Sequence, residues 1–125
     1  MAVAVAVGID LVSVDEVTQA LDIHGERYLR RLFTEAEQRD CHRDPRRLAA
    51  RFAAKEATMK ALRRTDEPLP WRSIEVQLGP AGDPVVALTG AAARLADEMS
   101  LSDISVSLTH EGGLAGAVVI AECAR

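Results

Sequence analysis

Apolar and small residues alternate along the first segment of the chain. Within residues 2–12, Val3, Val5, Val7 and Ile9 occupy every second position, and alanine, glycine and Asp10 stand between and after them. This two-residue period predicts a β-strand with two distinct faces. Since one face is apolar and the other is built of small residues, we expect the strand to be covered on both sides.

The next part of the chain carries helical spacing and recognisable helix boundaries. Ser13 is a suitable N-cap, and Thr34 followed by Glu37 resembles a capping box. Gly25 and Asp44-Pro45 mark breaks between helices. These signals predict a short helix over 14–23, a further helical turn over 28–33, a helix from 34 toward Cys41, and a long helix over 46–62.

Strand signals dominate the second half. A polar, proline-containing loop over 63–70 precedes segments in which apolar residues again alternate. The predicted elements are strands over 71–78 and 85–88, a helix over 90–99, a strand over 104–108, a turn over 110–113 and a last strand over 114–121. This order predicts one α+β domain over residues 1–125, with a mostly antiparallel sheet packed against the long helix.

Composition and charge exclude several classes of protein. With 48% apolar and 27% charged residues, the chain has ordinary globular composition. Its net charge of −4 and its lack of an aromatic-rich basic patch argue against nucleic-acid binding. The apolar N-terminus has no basic flank and is interrupted by Asp10, so it predicts neither a signal peptide nor a membrane span. Two cysteines, Cys41 and Cys123, favour a reduced, cytoplasmic chain over a single disulfide.

The long predicted helix carries more charge than packing requires. Glu56 and Lys60 lie one helical turn apart, and Arg51 and Lys55 add two cations nearby. An acid among bases on one helix could bind a metal ion and a polyphosphate together. The acid would bind the cation, and the bases would bind the phosphates. Taken alone, this segment is explained more simply by a solvated face with an ordinary Glu–Lys pair, worth roughly 0.3–0.5 kcal/mol.

Asp10 extends this chemistry to a second element. It lies on the small-residue face of an apolar strand, where an unpaired carboxylate is costly to bury. A backbone hydrogen bond or an ion pair would satisfy it. Together with Glu56 it could instead bind Mg²⁺, which proteins commonly hold with one or two carboxylates plus substrate phosphates. The chain has no zinc-type spacing of cysteine and histidine.

His110 and the glycines after it form a weaker candidate. Gly112 and Gly113 could let the backbone approach a ligand closely, but ordinary turn glycines beside an exposed histidine are the simpler interpretation of this segment alone. The chain has no Walker-type loop or dinucleotide fingerprint. No nucleophile elbow surrounds Ser107.

Four segments, taken in order, resemble the holo-acyl-carrier-protein synthase family of phosphopantetheinyl transferases. The resemblance covers nearly the whole chain, and it favours a functional role for the acidic and basic residues described above. The segments are Gly8-Ile9-Asp10-Leu11-Val12, Leu32-Phe33-Thr34-Glu35-Ala36-Glu37 with Cys41 after it, Arg51-Phe52-Ala53-Ala54-Lys55-Glu56-Ala57 with Lys60, and Ser107-Leu108-Thr109-His110.

The resemblance implies a phosphopantetheinyl-transferase-like fold and a definite activity. Such enzymes move the 4′-phosphopantetheine arm of coenzyme A onto a serine of an apo acyl carrier protein and release adenosine 3′,5′-bisphosphate. The family uses Mg²⁺, and its small members are homotrimers with active sites between neighbouring subunits. The partners implied are therefore coenzyme A, a carrier protein and two further copies of the chain.

The resemblance also implies roles for individual residues. Asp10 and Glu56 match the metal-binding carboxylates, and Lys60 matches the cation that contacts the phosphates of coenzyme A. His110 is expected to face the same cleft, with the adjacent subunit as one possible source. The general base stays open between Glu56 and a water on the metal. Weaker candidates for the 3′-phosphate of coenzyme A are Arg43, Arg46, Arg47 and Arg51.

Two departures from the family pattern affect partner binding. Glu16 stands where members often carry a base that helps to dock the acidic carrier, which leaves Arg27, Arg30 and Arg31 as docking bases. A carrier from a polyketide or peptide pathway is therefore an alternative to the fatty-acid carrier. Arg63-Arg64-Thr65 replaces a glycine-rich loop, so contacts to coenzyme A there are unassigned. A coenzyme A or nucleotide-binding module without transfer activity, and a purely structural domain, are the competing hypotheses.

Overall fold

The computed structural model describes residues 3–63 and 69–124 and has the mixed architecture that the sequence predicts. The loop predicted over 63–70 falls largely on residues 64–68, outside the described part of the chain. The elements are β1 (Val3–Ser13), α1 (Val14–His24), α2 (Glu26–Leu32), α3 (Glu35–Cys41), α4 (Pro45–Ala61), a 3-10 turn (Trp71–Ser73), β2 (Ile74–Leu78), β3 (Pro84–Leu88), α5 (Gly90–Glu98), β4 (Leu101–Glu111) and β5 (Leu114–Ala124).

Helix starts follow the local signals in the sequence. The Ser13 hydroxyl accepts a hydrogen bond from Glu16 N at 3.3 Å, which opens α1. The Thr34 and Glu37 side chains each accept from the other's backbone N–H, which completes the predicted capping box. Asp44 caps α4, and Pro45 occupies its first turn, where a missing N–H costs nothing.

The long helix lies across one face of a three-stranded antiparallel sheet. The strand order is β1-β5-β4, so the N-terminal and C-terminal strands pair along their whole length. α4 packs on β1 and β5, and β2 and β3 form a separate hairpin. The prediction of a mostly antiparallel sheet against a long helix is therefore confirmed.

β1 approaches α4 unusually closely at Gly8. A Cβ atom at this position would lie 1.8 Å from the carbonyl oxygen of Ala57, inside any permissible contact. Ala6, on the same face of the strand, is buried in the shared core. The small residues between the valines therefore allow the strand backbone to lie directly against the helix backbone.

The expectation that β1 is covered on both faces is wrong for the single chain. Val5, Val7, Ile9 and Leu11 are between 60% and 65% exposed, although the opposite face packs on α4. Alternation shows that both faces are apolar, but it carries no information on what lies over each of them. No element of residues 3–63 or 69–124 covers the valine face.

The structure also decides the state of the two cysteines and the element that carries His110. Cys41 and Cys123 are buried and not joined to each other, in line with the predicted reduced state. His110 was placed in a turn, but β4 continues to Glu111, so His110 pairs with Ala115 within the sheet. Within the described ranges, no helix is both long enough and apolar enough to cross a bilayer.

Candidate active site

β1 and α4 bring the predicted carboxylates and lysine together. The Lys60 ammonium donates to Asp10 Oδ1 and to the carbonyl oxygen of Ile9, each at 3.0 Å. Glu56, one turn earlier on the same helix, interacts directly with Asp10. The close approach at Gly8, two residues before Asp10, makes these contacts possible. The structure therefore brings Asp10, Glu56 and Lys60 together, and their roles as metal ligands and phosphate contact stay predictions.

The proximity of two acids changes the titration of Glu56. Burial raises the pKa of Glu56 to about 7, and the hydrogen-bonding contact and negative charge of Asp10 act in the same direction. The positive charge of Lys60 opposes them without cancelling them. The site therefore holds excess negative charge whenever both carboxylates are ionised.

One carboxylate oxygen lacks a partner in this arrangement. With both carboxylates ionised, Asp10 Oδ2 is buried and accepts no hydrogen bond from the described residues, while Oδ1 is bound to Lys60. Either a proton on Glu56 or a cation would satisfy this oxygen. The donor set thus fits a hard divalent cation held by Asp10 and Glu56.

The number of carboxylates limits what this site can hold by itself. Across residues 3–63 and 69–124, no group of three or more histidine, cysteine, aspartate or glutamate side chains is placed to bind a metal ion. Two carboxylates leave most of an octahedral shell to water or to substrate oxygens, which is the arrangement typical of Mg²⁺ at phosphate-transfer sites.

A second cluster lies at the other end of α4. Arg46, Arg47 and His110 line a cavity of about 630 Å³ together with the Gly112-Gly113 turn. His110 Nε2 lies 3.3 Å from the carbonyl oxygen of Arg46, which ties β4 to the first turn of α4. The acidic residues Asp15, Asp44 and Glu111 also line the cavity.

These two clusters are separate within one chain. A helix rises 1.5 Å per residue, so Arg46 and Lys60 are about 21 Å apart along α4. His110 is therefore held beside Arg46, and it does not join Asp10 and Glu56 in the single subunit.

The remaining predicted arginines lie in neither cluster. Arg43 forms an exposed ion pair with Glu26 at 2.5 Å. Arg51 is buried, its Nη2 lies 3.9 Å from Asp40 Oδ2, and its Nε has no hydrogen-bond partner among the described residues. Neither residue lines the cavity that holds Arg46, Arg47 and His110.

Sequence reasoning missed a buried ion pair next to the carboxylates. Lys55 Nζ lies 2.7 Å from Glu37 Oε1, and both side chains are fully buried. Burial lowers the pKa of Lys55, and the charge of Glu37 opposes that shift. The sequence does contain a signal that Lys55 is buried. Lys55 falls within a stripe of otherwise apolar residues at helical spacing, namely Leu48, Phe52, Met59 and Leu62.

Comparison with known proteins places this arrangement in a family. Residues 6–119 match the 4′-phosphopantetheinyl transferase superfamily. The chain is 49% identical over 119 residues to the holo-acyl-carrier-protein synthase of Desulforudis audaxviator, with 92% of this chain and 90% of the relative covered.

Solved structures show the same likeness. The Mycobacterium tuberculosis acyl carrier protein synthase is 40% identical with a TM-score of 0.73, and the alignment covers 97% of this chain and 100% of that one. The Helicobacter pylori holo-acyl-carrier-protein synthase, solved in complex with coenzyme A, is 28% identical with a TM-score of 0.83 and coverage of 92% and 98%. Since the family match spans residues 6–119 and the identity to a curated relative reaches 49%, the chain belongs to the 4′-phosphopantetheinyl transferase superfamily.

Proposed function

We propose that this chain is a holo-acyl-carrier-protein synthase that transfers 4′-phosphopantetheine from coenzyme A to a serine of an apo acyl carrier protein. Family membership and the coenzyme A complex of the Helicobacter pylori relative support this assignment. The observation that carries it is the Asp10–Glu56–Lys60 cluster, in which a buried carboxylate oxygen lacks a partner. A binding module would not need both carboxylates, which together carry more negative charge than Lys60 offsets.

Each residue of the cluster has a distinct task in this reaction. Asp10 and Glu56 would hold Mg²⁺, which when bound neutralises charge on the pyrophosphate of coenzyme A. The Lys60 side chain is 52% exposed, so it can turn toward those phosphates and offset charge on the leaving adenosine 3′,5′-bisphosphate. The serine oxygen forms its bond to the β-phosphorus as the bond to the leaving phosphate breaks, so correct placement matters most.

The cavity lined by Arg46, Arg47 and His110 is the proposed site for the 3′-phosphate. Arg46, Arg47 and His110 converge on it, and guanidinium groups suit phosphate oxygens well. Arg43 and Arg51 are poorer candidates than the sequence suggested. Arg43 is engaged by Glu26, and Arg51 is buried beside Asp40.

Assembly as a homotrimer would unite the two clusters of the site. The exposed valine face of β1 continues onto Ile120 of β5, and such a contiguous apolar surface marks a protein interface. We assign it to further copies of this chain. His110 and the arginine cavity of one subunit would then serve the carboxylates of its neighbour.

Val7→Arg tests this assembly. The substitution places a charge in the centre of the apolar face and should convert the trimer to monomers, with a loss of transfer activity of about 100-fold from misplacement of the shared site. Because Val7 is exposed in the single chain, the subunit should remain folded. Leu78→Arg, on the exposed hairpin, is the matched control. Sedimentation measures the oligomeric state of both proteins. A parent protein that is monomeric, or a Val7→Arg protein that is still trimeric, would contradict the proposed interface.

The carrier protein should dock beside α2. Helix α1 contains Asp15, Glu16 and Asp22 but no lysine or arginine, whereas Arg27 and Arg31 border a groove of about 340 Å³. Tyr28, Phe52 and Trp71 line the same groove, so it offers apolar and cationic contacts together. An acidic, amphipathic carrier helix fits this chemistry.

Mass spectrometry of the carrier tests the function directly. Apo carriers of fatty-acid, polyketide and peptide pathways are incubated with the protein, coenzyme A and Mg²⁺, with EDTA as a control. A gain of the phosphopantetheine mass that EDTA abolishes is expected for at least one carrier, and the fastest identifies the preferred class. Protection by coenzyme A against thermal unfolding without any mass gain would favour the binding-module hypothesis.

Mg²⁺ should stabilise the protein more at high pH than at low pH. A carboxyl whose pKa is raised in the fold stabilises the protein while protonated, and this contribution is lost as the pH rises through about 7. Mg²⁺ replaces the proton and removes that loss, so the increase in Tm on adding Mg²⁺ should grow from about pH 5.5 to about pH 8. Thermal unfolding with and without Mg²⁺ measures it. Glu56→Gln should abolish the pH dependence, and an unchanged dependence in that variant would exclude Glu56 as the group responsible.

The state of the cysteines indicates the cellular compartment of the protein. Two buried cysteines that are not joined suit a reducing compartment, so we assign the protein to the cytoplasm. No nucleic-acid or membrane partner is proposed.

A further inference from the structure

We propose that the buried Glu37–Lys55 ion pair is a positioning device, which sets the rotation of α4 so that Glu56 faces Asp10. This inference rests on the proposed function. The Lys55 ammonium lies 2.7 Å from Glu37 Oε1, and both side chains have no solvent exposure. Lys55 immediately precedes Glu56, so the pair acts one residue away from the proposed metal ligand.

The pair satisfies every hydrogen-bonding group it buries. The three N–H groups of Lys55 have three acceptors, namely Glu37 Oε1, the carbonyl oxygen of Trp71 at 3.1 Å and the carbonyl oxygen of Ile74. Glu37 accepts from Thr34 N at 2.9 Å and from Val76 N at 2.8 Å. The network joins α3, α4 and the start of β2 at a single point.

Stability alone is a poor explanation for such a network. Burying two charges is costly, and well-packed apolar side chains of the same volume are often as stable or more stable. Apolar side chains, however, tolerate small rotations of a helix, whereas directed hydrogen bonds from Lys55 to two backbone carbonyls do not. The network therefore restricts the orientation of α4 more than it strengthens the fold.

Helix geometry connects this restriction to the reaction. Successive residues are 100° apart around a helix, so Lys55 points toward α3 and β2 while Glu56 points toward Asp10. Any rotation that loosens Lys55 carries Glu56 with it by the same angle. On another side of the helix, the Ala57 carbonyl is in contact with Gly8, and this contact limits how closely α4 can approach β1. A misplacement of about 1 Å at such a site can cost about 100-fold in rate.

The test replaces the pair without leaving a buried charge. Glu37→Gln combined with Lys55→Met removes one acid and one base. Arg94→Met combined with Glu98→Gln removes the same charges from the exposed surface of α5 as a control. For each protein, calorimetry measures the Kd for Mg²⁺, and transfer assays give kcat and the KM for coenzyme A. Circular dichroism verifies the fold.

The expected result separates positioning from stability. The folded double variant should bind Mg²⁺ at least about tenfold more weakly and lose about 10- to 100-fold in kcat, with the KM for coenzyme A nearly unchanged. A folded double variant with parental kcat and Mg²⁺ affinity would overturn the proposal. If the double variant does not fold, Glu37→Gln alone decides on its folded fraction, since the amide preserves the shape of the side chain and the buried Lys55, whose pKa burial already lowers, can become neutral. That variant should weaken Mg²⁺ binding, and unchanged binding would refute the positioning role. If the parent shows no transfer, the function assignment fails, while calorimetry still decides the positioning role.

Discussion

Glu56→Gln and Asp10→Asn should each reduce kcat by about 1,000-fold while the protein stays folded. Each substitution removes one negative charge from the proposed Mg²⁺ site and keeps the shape of the side chain. Losing a single preorganised electrostatic contact to the transition state typically costs about 100- to 1,000-fold, and here the cation itself would be lost with the charge.

Stability should move in the opposite direction from activity in Glu56→Gln. The ionised Glu56 side chain is partly buried beside Asp10, which raises its pKa to about 7. Above that pH the carboxylate destabilises the metal-free protein, and a neutral amide removes this repulsion. The Tm of metal-free Glu56→Gln at about pH 8 should therefore exceed that of the parent.

Steady-state assays and calorimetry distinguish the possible outcomes. Glu98→Gln, on the exposed side of α5, is the control for loss of one negative charge. Near-parental turnover in either site variant would remove that residue from the metal assignment. Loss of turnover with unchanged Mg²⁺ affinity would instead move the residue from metal binding to another catalytic role.

Gly8→Ala should destabilise the protein by about 3 kcal/mol or more and lower transfer activity at the same time. The new Cβ would lie 1.8 Å from the Ala57 carbonyl oxygen and 2.7 Å from its carbon, and both are backbone atoms that cannot rotate away. β1 and α4 must therefore separate, and Asp10 moves away from Glu56 and Lys60 because it lies two residues further along the strand.

Denaturant unfolding and kcat measured on one preparation test this prediction. Gly79→Ala is the control, since the three atoms nearest to its Cβ would all belong to the Asp83 side chain, which can rotate aside. A Gly8→Ala protein with parental stability and kcat would show that the close approach is unnecessary. If the stability falls while the folded fraction keeps its parental kcat, the close approach of β1 to α4 would serve the fold and not the placement of Asp10.

Much of the local structure was predictable because its causes are local. Ser13, the Thr34–Glu37 capping box and Asp44-Pro45 determine where helices begin through hydrogen bonds within a few residues. The grouping of Asp10 with Glu56 and Lys60 was also predictable, partly from the small-residue face of β1 and partly from resemblance to a family. His110 was misplaced because β4 runs three residues past the end of its clear alternation at Leu108.

By itself, the sequence determined the α+β class, the helix boundaries, the small-residue face of β1 that carries Asp10, and the family of the protein. Each of these features depends on residue spacing or on a sequence motif, and spacing and motifs can be recognised in the sequence without the tertiary structure. Only the tertiary structure decided that Lys55 is buried against Glu37, that Arg51 is enclosed beside Asp40 and that the valine face of β1 is exposed. Burial depends on which distant segments come to lie over a side chain. Two lysines five residues apart on one helix, Lys55 and Lys60, therefore have opposite environments that their local sequence does not distinguish.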